Sequence, residues 1–178
     1  VQSNSLDYAT DYPWDMDKRT ITDDELVRRD SWQSKFMPSG AFVAGRVDNT
    51  HWLSFGTPDI LPILYSKQPV LMTSNSAEAI IRIGSIEPNN GSEIKQLNWS
   101  TIPANHDIKV RMSGLVWPEA SERIANSAYL TREQIGNGQL ILFSGQPNFR
   151  GSTRGTSRLW LNAVVYGAGL GTTPRINL

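Results

Sequence analysis

The chain has 178 residues, enough for one domain or one domain with a tail, and 39% of them are hydrophobic, which excludes wholesale disorder. Seventeen Lys and Arg balance seventeen Asp and Glu, and this zero net charge argues against a nucleic-acid-coating protein and a polybasic membrane binder. There is no Cys and there are only two His, which removes disulfides, thiolate metal sites, a Cys nucleophile and any three-imidazole centre from one chain.

No run approaches about 18 apolar residues, so no membrane-spanning helix is predicted. Residues 1–30 have no apolar signal core, and the chain does not open with Met, which predicts a processed chain or a piece of something longer. Residues 1–38 read as an acidic arm or linker and residues 39–178 as the folded domain. The first 30 residues hold eight acids and four bases, while from Gln134 to Leu178 there are four Arg and no acid. The arm is therefore either a solvated segment or one that folds back on the basic C-terminal region. Within it, Thr22-Asp23-Asp24-Glu25 before Leu26 has the form of a capping box and opens a short helix. Sequons stand at Asn90 and Asn98.

From Ala41 the pattern changes. Ala41 to Val47 reads as a strand, Asp48-Asn49-Thr50 as a turn, and His51 to Gly56 as a short aromatic run. Apolar runs follow at Leu61 to Tyr65 and Val70 to Thr73, and Ala79 to Gly84 reads as a β-branched strand. Residues 85–106, rich in Asn, Ser, Pro and Gly, read as loop. Lys109 to Ser113 alternates and suits a half-exposed strand. Trp117 to Ala125 predicts a helix with Pro118 in its first turn. Ala128 to Gln134 and Gln139 to Ser144 predict two strands joined at Gly136-Asn137-Gly138, the second of them central. Thr156 to Tyr166 predicts a helix with the apolar stripe Leu159, Ala163, Val164 and Tyr166, ended by Gly167-Ala168-Gly169.

Motif by motif, self-contained chemistry fails to assemble. Gly167-x-Gly169-x-Gly171 follows a helix instead of a strand, so it is not a dinucleotide fingerprint, and no P-loop is present. Neither His51 nor His106 has a carboxylate at zinc-peptidase spacing. His51 reads as a packed strand-end residue and His106 as a surface one. No Gly-x-Ser-x-Gly elbow occurs, and Glu119 and Glu122 read as acids at a helix start more simply than as a glycosidic pair. The unusual segment is the polar loop Gln146 to Arg158, where Arg150, Arg154 and Arg158 recur every four residues between a strand and a helix start. Guanidinium forks and helix N–H groups there suit a carboxylate or phosphate; alternatively Arg150 and Arg154 pair with acids of the arm or a neighbouring domain.

Trp117-Pro118-Glu119-Ala120, Ala128-Tyr129-Leu130, Gly138 to Phe143, Pro147-Asn148-Phe149-Arg150-Gly151, Arg154-Gly155-Thr156 and Leu159-Trp160-Leu161-Asn162-Ala163 stand in fixed order. This order resembles the C-terminal region of large bacterial carboxypeptidase A-like zinc peptidases, a region similar to part of a class I glutamine amidotransferase-like domain. His51 to Gly56, Leu61-Pro62 and Val70-Leu71 fit the region upstream, so the resemblance runs from about Ser39 to Gly167. It implies that zinc and the catalytic Glu belong to a separate N-terminal peptidase domain, whose motifs are not in this chain. It implies export, to the periplasm or outside the cell. The amidotransferase nucleophile is a Cys, and its absence here excludes glutaminase chemistry.

The resulting expectation is an α/β fold, a mixed β-sheet with flanking helices, whose C-terminal helix packs on the sheet. Leu140, Ile141, Leu142, Phe143, Leu159, Ala163 and Val164 are the predicted core. The first functional reading is a non-catalytic accessory domain of a secreted bacterial zinc carboxypeptidase. It has no cofactor in this chain and its partner is the N-terminal peptidase domain of the same polypeptide, with no nucleic-acid or membrane partner. The second is a binding module in which Asn148, Arg150 and Arg154 line a pocket for an anionic or carbohydrate ligand and Trp117 serves as a platform. A third, an independent hydrolase with a cryptic Ser or acid pair, has no positive feature behind it.

Overall fold

The computed structural model describes residues 22–73, 76–91, 94–97 and 100–170. Residues 1–21 of the acidic arm, the Asn98 sequon and the tail around Pro174 lie outside the described residues.

The architecture is one main antiparallel sheet with three α-helices. The main sheet runs β10 (Gly138–Phe143), β9 (Ala128–Ile135), β3 (Ala77–Ile83), β1 (Ser39–Val47), β2 (Ile60–Ser66), and β8 (Arg111–Ser113) pairs with β1 beside β3. Every pairing is antiparallel, which corrects the expected mixed sheet. A parallel neighbour needs a crossover of a dozen residues or more, whereas β9 and β10 are joined by the tight turn at Gly136-Asn137. In β2 the residues Leu61, Ile63 and Tyr65 point inward, while Pro62 is tolerated because β2 is an edge strand.

Gln139 to Ser144 was expected to be central, yet β10 is the opposite edge of the sheet. Only Ile141 and Phe143 pack against the core; Leu140 and Leu142, predicted core residues, are exposed. The segment 85–106, expected to be loop, contains β4 (Ser85–Pro88), β5 (Lys95–Leu97) and β6 (Ser100–Ile102). β4 pairs with β7 (His106–Lys109), and β5 with β6, as two-stranded ribbons held by backbone hydrogen bonds that side-chain composition does not report. The β4–β7 ribbon leaves the sheet at Gly84, whose φ of +99° and missing side chain admit Ile108; a Cβ there would lie 2.5 Å from Ile108 Cγ1. Of the Val70 to Thr73 run, Leu71 makes an isolated bridge to Ala128.

The helices are α1 (Asp23–Gln33), α2 (Pro118–Ile124) and α3 (Arg154–Tyr166). Thr22 caps α1 by accepting a hydrogen bond from the Glu25 N–H at 3.3 Å. α1 docks on α2 through Asp30–Arg123 (2.8 Å) and Gln33–Glu122 (3.1 Å). Its buried residues are Glu25, Arg29 and Gln33, a polar stripe at i, i+4, i+8. α3 meets the rest of the fold along Thr156, Leu159 and Asn162, with Ala163 beside them. Val164, predicted to be core, and Tyr166, predicted to lie on the apolar stripe, are exposed. The stripe was misplaced because two of the buried positions are polar and find partners: Thr156 Oγ1 donates to the Pro147 carbonyl (2.6 Å) and Asn162 to Leu53. Among the described residues no helix is long and apolar enough to cross a membrane.

Candidate functional site

The loop from Ser144 to Thr153 connects edge strand β10 to α3. Its start is fixed by the Ser144 N–H donating to the Tyr129 carbonyl (2.8 Å). Its end is fixed by the buried hydroxyls of Thr153 and Thr156, which hydrogen-bond to each other. Between these anchors Phe149–Gly151 forms a single 3-10 turn. Arg150 there adopts a left-handed backbone, φ 50°, and its guanidinium sits 5.2 Å over the Phe149 ring.

The four predicted site residues fall in two places. Asn148, Arg150 and Arg154 are exposed along the loop and at the first residue of α3. Arg154 and Arg158 share a face of α3, whereas Arg150 precedes the helix cap Thr153 and is not in their row. Among the described residues neither Arg150 nor Arg154 pairs with an acid, while Arg158 Nε donates to the Phe55 carbonyl (3.3 Å). Trp117 stands apart, at the cap of α2, edge-on to Phe36 with centroids 6.4 Å apart.

Two clefts flank these residues. One, of about 450 Å³, is lined by Gly40, Leu64, Ser66, Gln68, Gly145, Gln146 and Phe149. The other, of about 280 Å³, has Trp117, Leu115 and Gly40 in its lining. Gly40 thus borders both, at a bulge where the β1–β2 register slips. Gln68 was missed in the sequence, because a lone Gln after a strand carries no site signal. It lines the cleft because its Nε2 donates to the Leu64 carbonyl (2.9 Å).

The titratable groups elsewhere are tied into packing. Glu122 sits against α1. Burial first, then the nearby Glu119 carboxylate, push its pKa above the usual carboxylate value, and Arg29 partly offsets them. Glu119 is buried close to Glu122, whose carboxylate meets Gln33 of α1. His51 Nδ1 accepts the Leu53 N–H (3.1 Å), which places the ring proton on Nε2, 3.5 Å from Glu78. Burial lowers its pKa more than Glu78 raises it, so His51 is neutral at pH 7 and this contact is polar, not an ion pair. His106, expected at the surface, is half-buried at the start of β7. Among the described residues no group of three His, Asp or Glu is placed to hold a metal. Comparison of the chain with protein-family models, curated proteins and solved structures returns no match.

Proposed function

We propose that this chain is a non-catalytic accessory domain of a secreted bacterial zinc carboxypeptidase-like protein, docked on the N-terminal peptidase domain of the same polypeptide. One structural observation carries the docking: the outer face of α3 is apolar. Trp160, Leu161, Val164 and Val165 all point away from the sheet, with Val164 59% and Val165 58% exposed. A helix face open to solvent ordinarily carries charge; a contiguous apolar face marks an interaction surface. Arg154 and Arg158 prolong this face toward the helix start, so the complementary surface combines apolar and acidic groups. The ordered motifs across residues 117–163 supply the identity of the partner, and with it zinc in the partner domain, an amidotransferase-like ancestry for this one, and export.

The test is the upstream reading frame followed by footprinting. The frame is expected to encode a zinc peptidase domain. In the full-length protein, hydroxyl-radical labelling of Trp160 is expected to fall well below that in the isolated 178-residue chain. Equal labelling in the two, or an upstream frame without a peptidase, overturns the reading.

A second reading, a ligand-binding module for an anionic or carbohydrate ligand at the 146–158 loop, is favoured by the 450 Å³ cleft against Phe149.

A further inference from the structure

We propose that the two clefts meeting at Gly40 form one groove for a neutral oligosaccharide, with Phe149 and Trp117 as stacking platforms and Gln68, Gln146 and Ser66 as its polar wall. The proposal rests on the binding-module reading and chooses between the two ligand classes that reading leaves open.

The lining decides the charge of the ligand. None of the residues along either cleft is acidic or basic; the polar ones are amides and hydroxyls. A site built for a carboxylate or phosphate brings a guanidinium or ammonium into its wall, because a desolvated anion needs a compensating charge. Arg150 and Arg154 are not among the lining residues; the Arg150 guanidinium, 5.2 Å from the Phe149 ring centroid, is held over that ring as a cation–π partner.

Gln68 stands in the wall of the larger cleft with its Nε2 donating to the Leu64 carbonyl. The same Gln68 bond occupies a carbonyl of edge strand β2, which disfavours a peptide adding there as a further strand.

The aromatic pair decides the shape. Phe149 is 40% and Trp117 50% exposed, one at each cleft. Flat apolar faces with a negative π-surface match the C–H faces of pyranose rings. Between them Gly40 has a φ of +99° and open space within 4 Å of where a Cβ would stand, so nothing interrupts the floor. Two platforms on either side of an open glycine suit a chain of several sugars more than a single one.

The test is calorimetric titration of the full 178-residue chain with maltohexaose, cellohexaose, xylohexaose, mannohexaose and chitohexaose at about 1 mM, alongside inorganic phosphate and polygalacturonate. At least one neutral hexasaccharide is expected to bind, and Phe149→Ala and Trp117→Ala each to weaken it about tenfold or more. Trp117 also touches Phe36, so Gln146→Ala, at an exposed position, is the companion variant; it is expected to weaken binding with an unchanged melting temperature. Binding of phosphate or polygalacturonate alone, lost in Arg150→Ala/Arg154→Ala, overturns the proposal while the binding-module reading stands. No binding by any probe, or hexasaccharide binding that all three groove variants retain, overturns the groove as a glycan site.

Discussion

The Asn162 side-chain amide donates to the Leu53 carbonyl at 2.9 Å across 109 positions of sequence, and to the Phe55 carbonyl at 2.9 Å as well. One buried amide thus pins α3 to the 3-10 turn that follows β1. Asn162→Leu keeps the branched heavy-atom outline, with more bulk, but leaves both carbonyls without this donor. The expected loss is about 2–3 kcal/mol by urea unfolding. Asn162→Asp, which places a carboxylate against two carbonyl oxygens, should lose more. Asn162→Leu as stable as the parent would show that the turn is held by packing alone.

Gly45 lies where β1 is paired on both sides, to β2 and β3. A methyl group there would overlap Ile63 Cδ1 and stand 3.1 Å from Ile81 Cγ2. Gly45→Ala should therefore cost about 1–3 kcal/mol. Ile63→Val removes the offending Cδ1, so the double variant should be more stable than the sum of the two single losses predicts. Additive losses in a double-mutant cycle would place the cost elsewhere.

Glu122 gives a pH dependence with a defined sign. Its folded-state pKa is raised above the ordinary 4.5, by burial first and Glu119 second. Such a group favours folding while protonated. Its contribution is full below the unfolded value and is lost as the pH rises through the folded value. Glu122→Gln keeps an acceptor for Gln33 and abolishes the charge. The variant should melt a few degrees higher than the parent at pH 7 and converge with it near pH 4. A gap that widens toward acid pH would reverse the assignment.

Arg150 holds a left-handed backbone with no glycine to ease it. By thermal unfolding, Arg150→Gly should match or exceed the parent, by up to about 1 kcal/mol. Arg150→Val, β-branched, should lose about 1 kcal/mol or more. A clear loss in Arg150→Gly would mean that the cation over Phe149 outweighs the backbone strain.

On α3, Leu161→Lys/Val164→Lys alters only the outer face. Stability should stay within about 0.5 kcal/mol of the parent, since neither side chain is buried. In the full-length protein the expected protection of Trp160 from hydroxyl-radical labelling should be lost. Unchanged protection would detach the apolar face from any docking role.

Local chemistry made much of the secondary structure legible in advance. Thr22 to Glu25 announces its cap because a hydroxyl and a free N–H meet within one turn. Ala79 to Gly84 announces a strand because β-branched side chains fit a pleated surface, and Gly136-Asn137 announces its hairpin because the turn must tolerate left-handed backbone. All of these depend on neighbours within a few residues, and so does the Arg-rich loop between β10 and α3.

Only the tertiary structure decided the rest. Leu140 and Ile141 are both apolar, but successive side chains of β10 take opposite faces and only one face is covered by the core, so Ile141 packs and Leu140 does not. Glu25, Arg29 and Gln33 are buried because α2 brings Glu122 and Arg123 to α1, an arrangement invisible to hydrophobic patterning. Gly40 borders both clefts because a register slip in β1 sets it between segments distant in sequence. The physical reason is common to these cases. A side chain's environment is made by whatever the chain packs against it, and long-range partners leave no mark on the residues beside it in sequence.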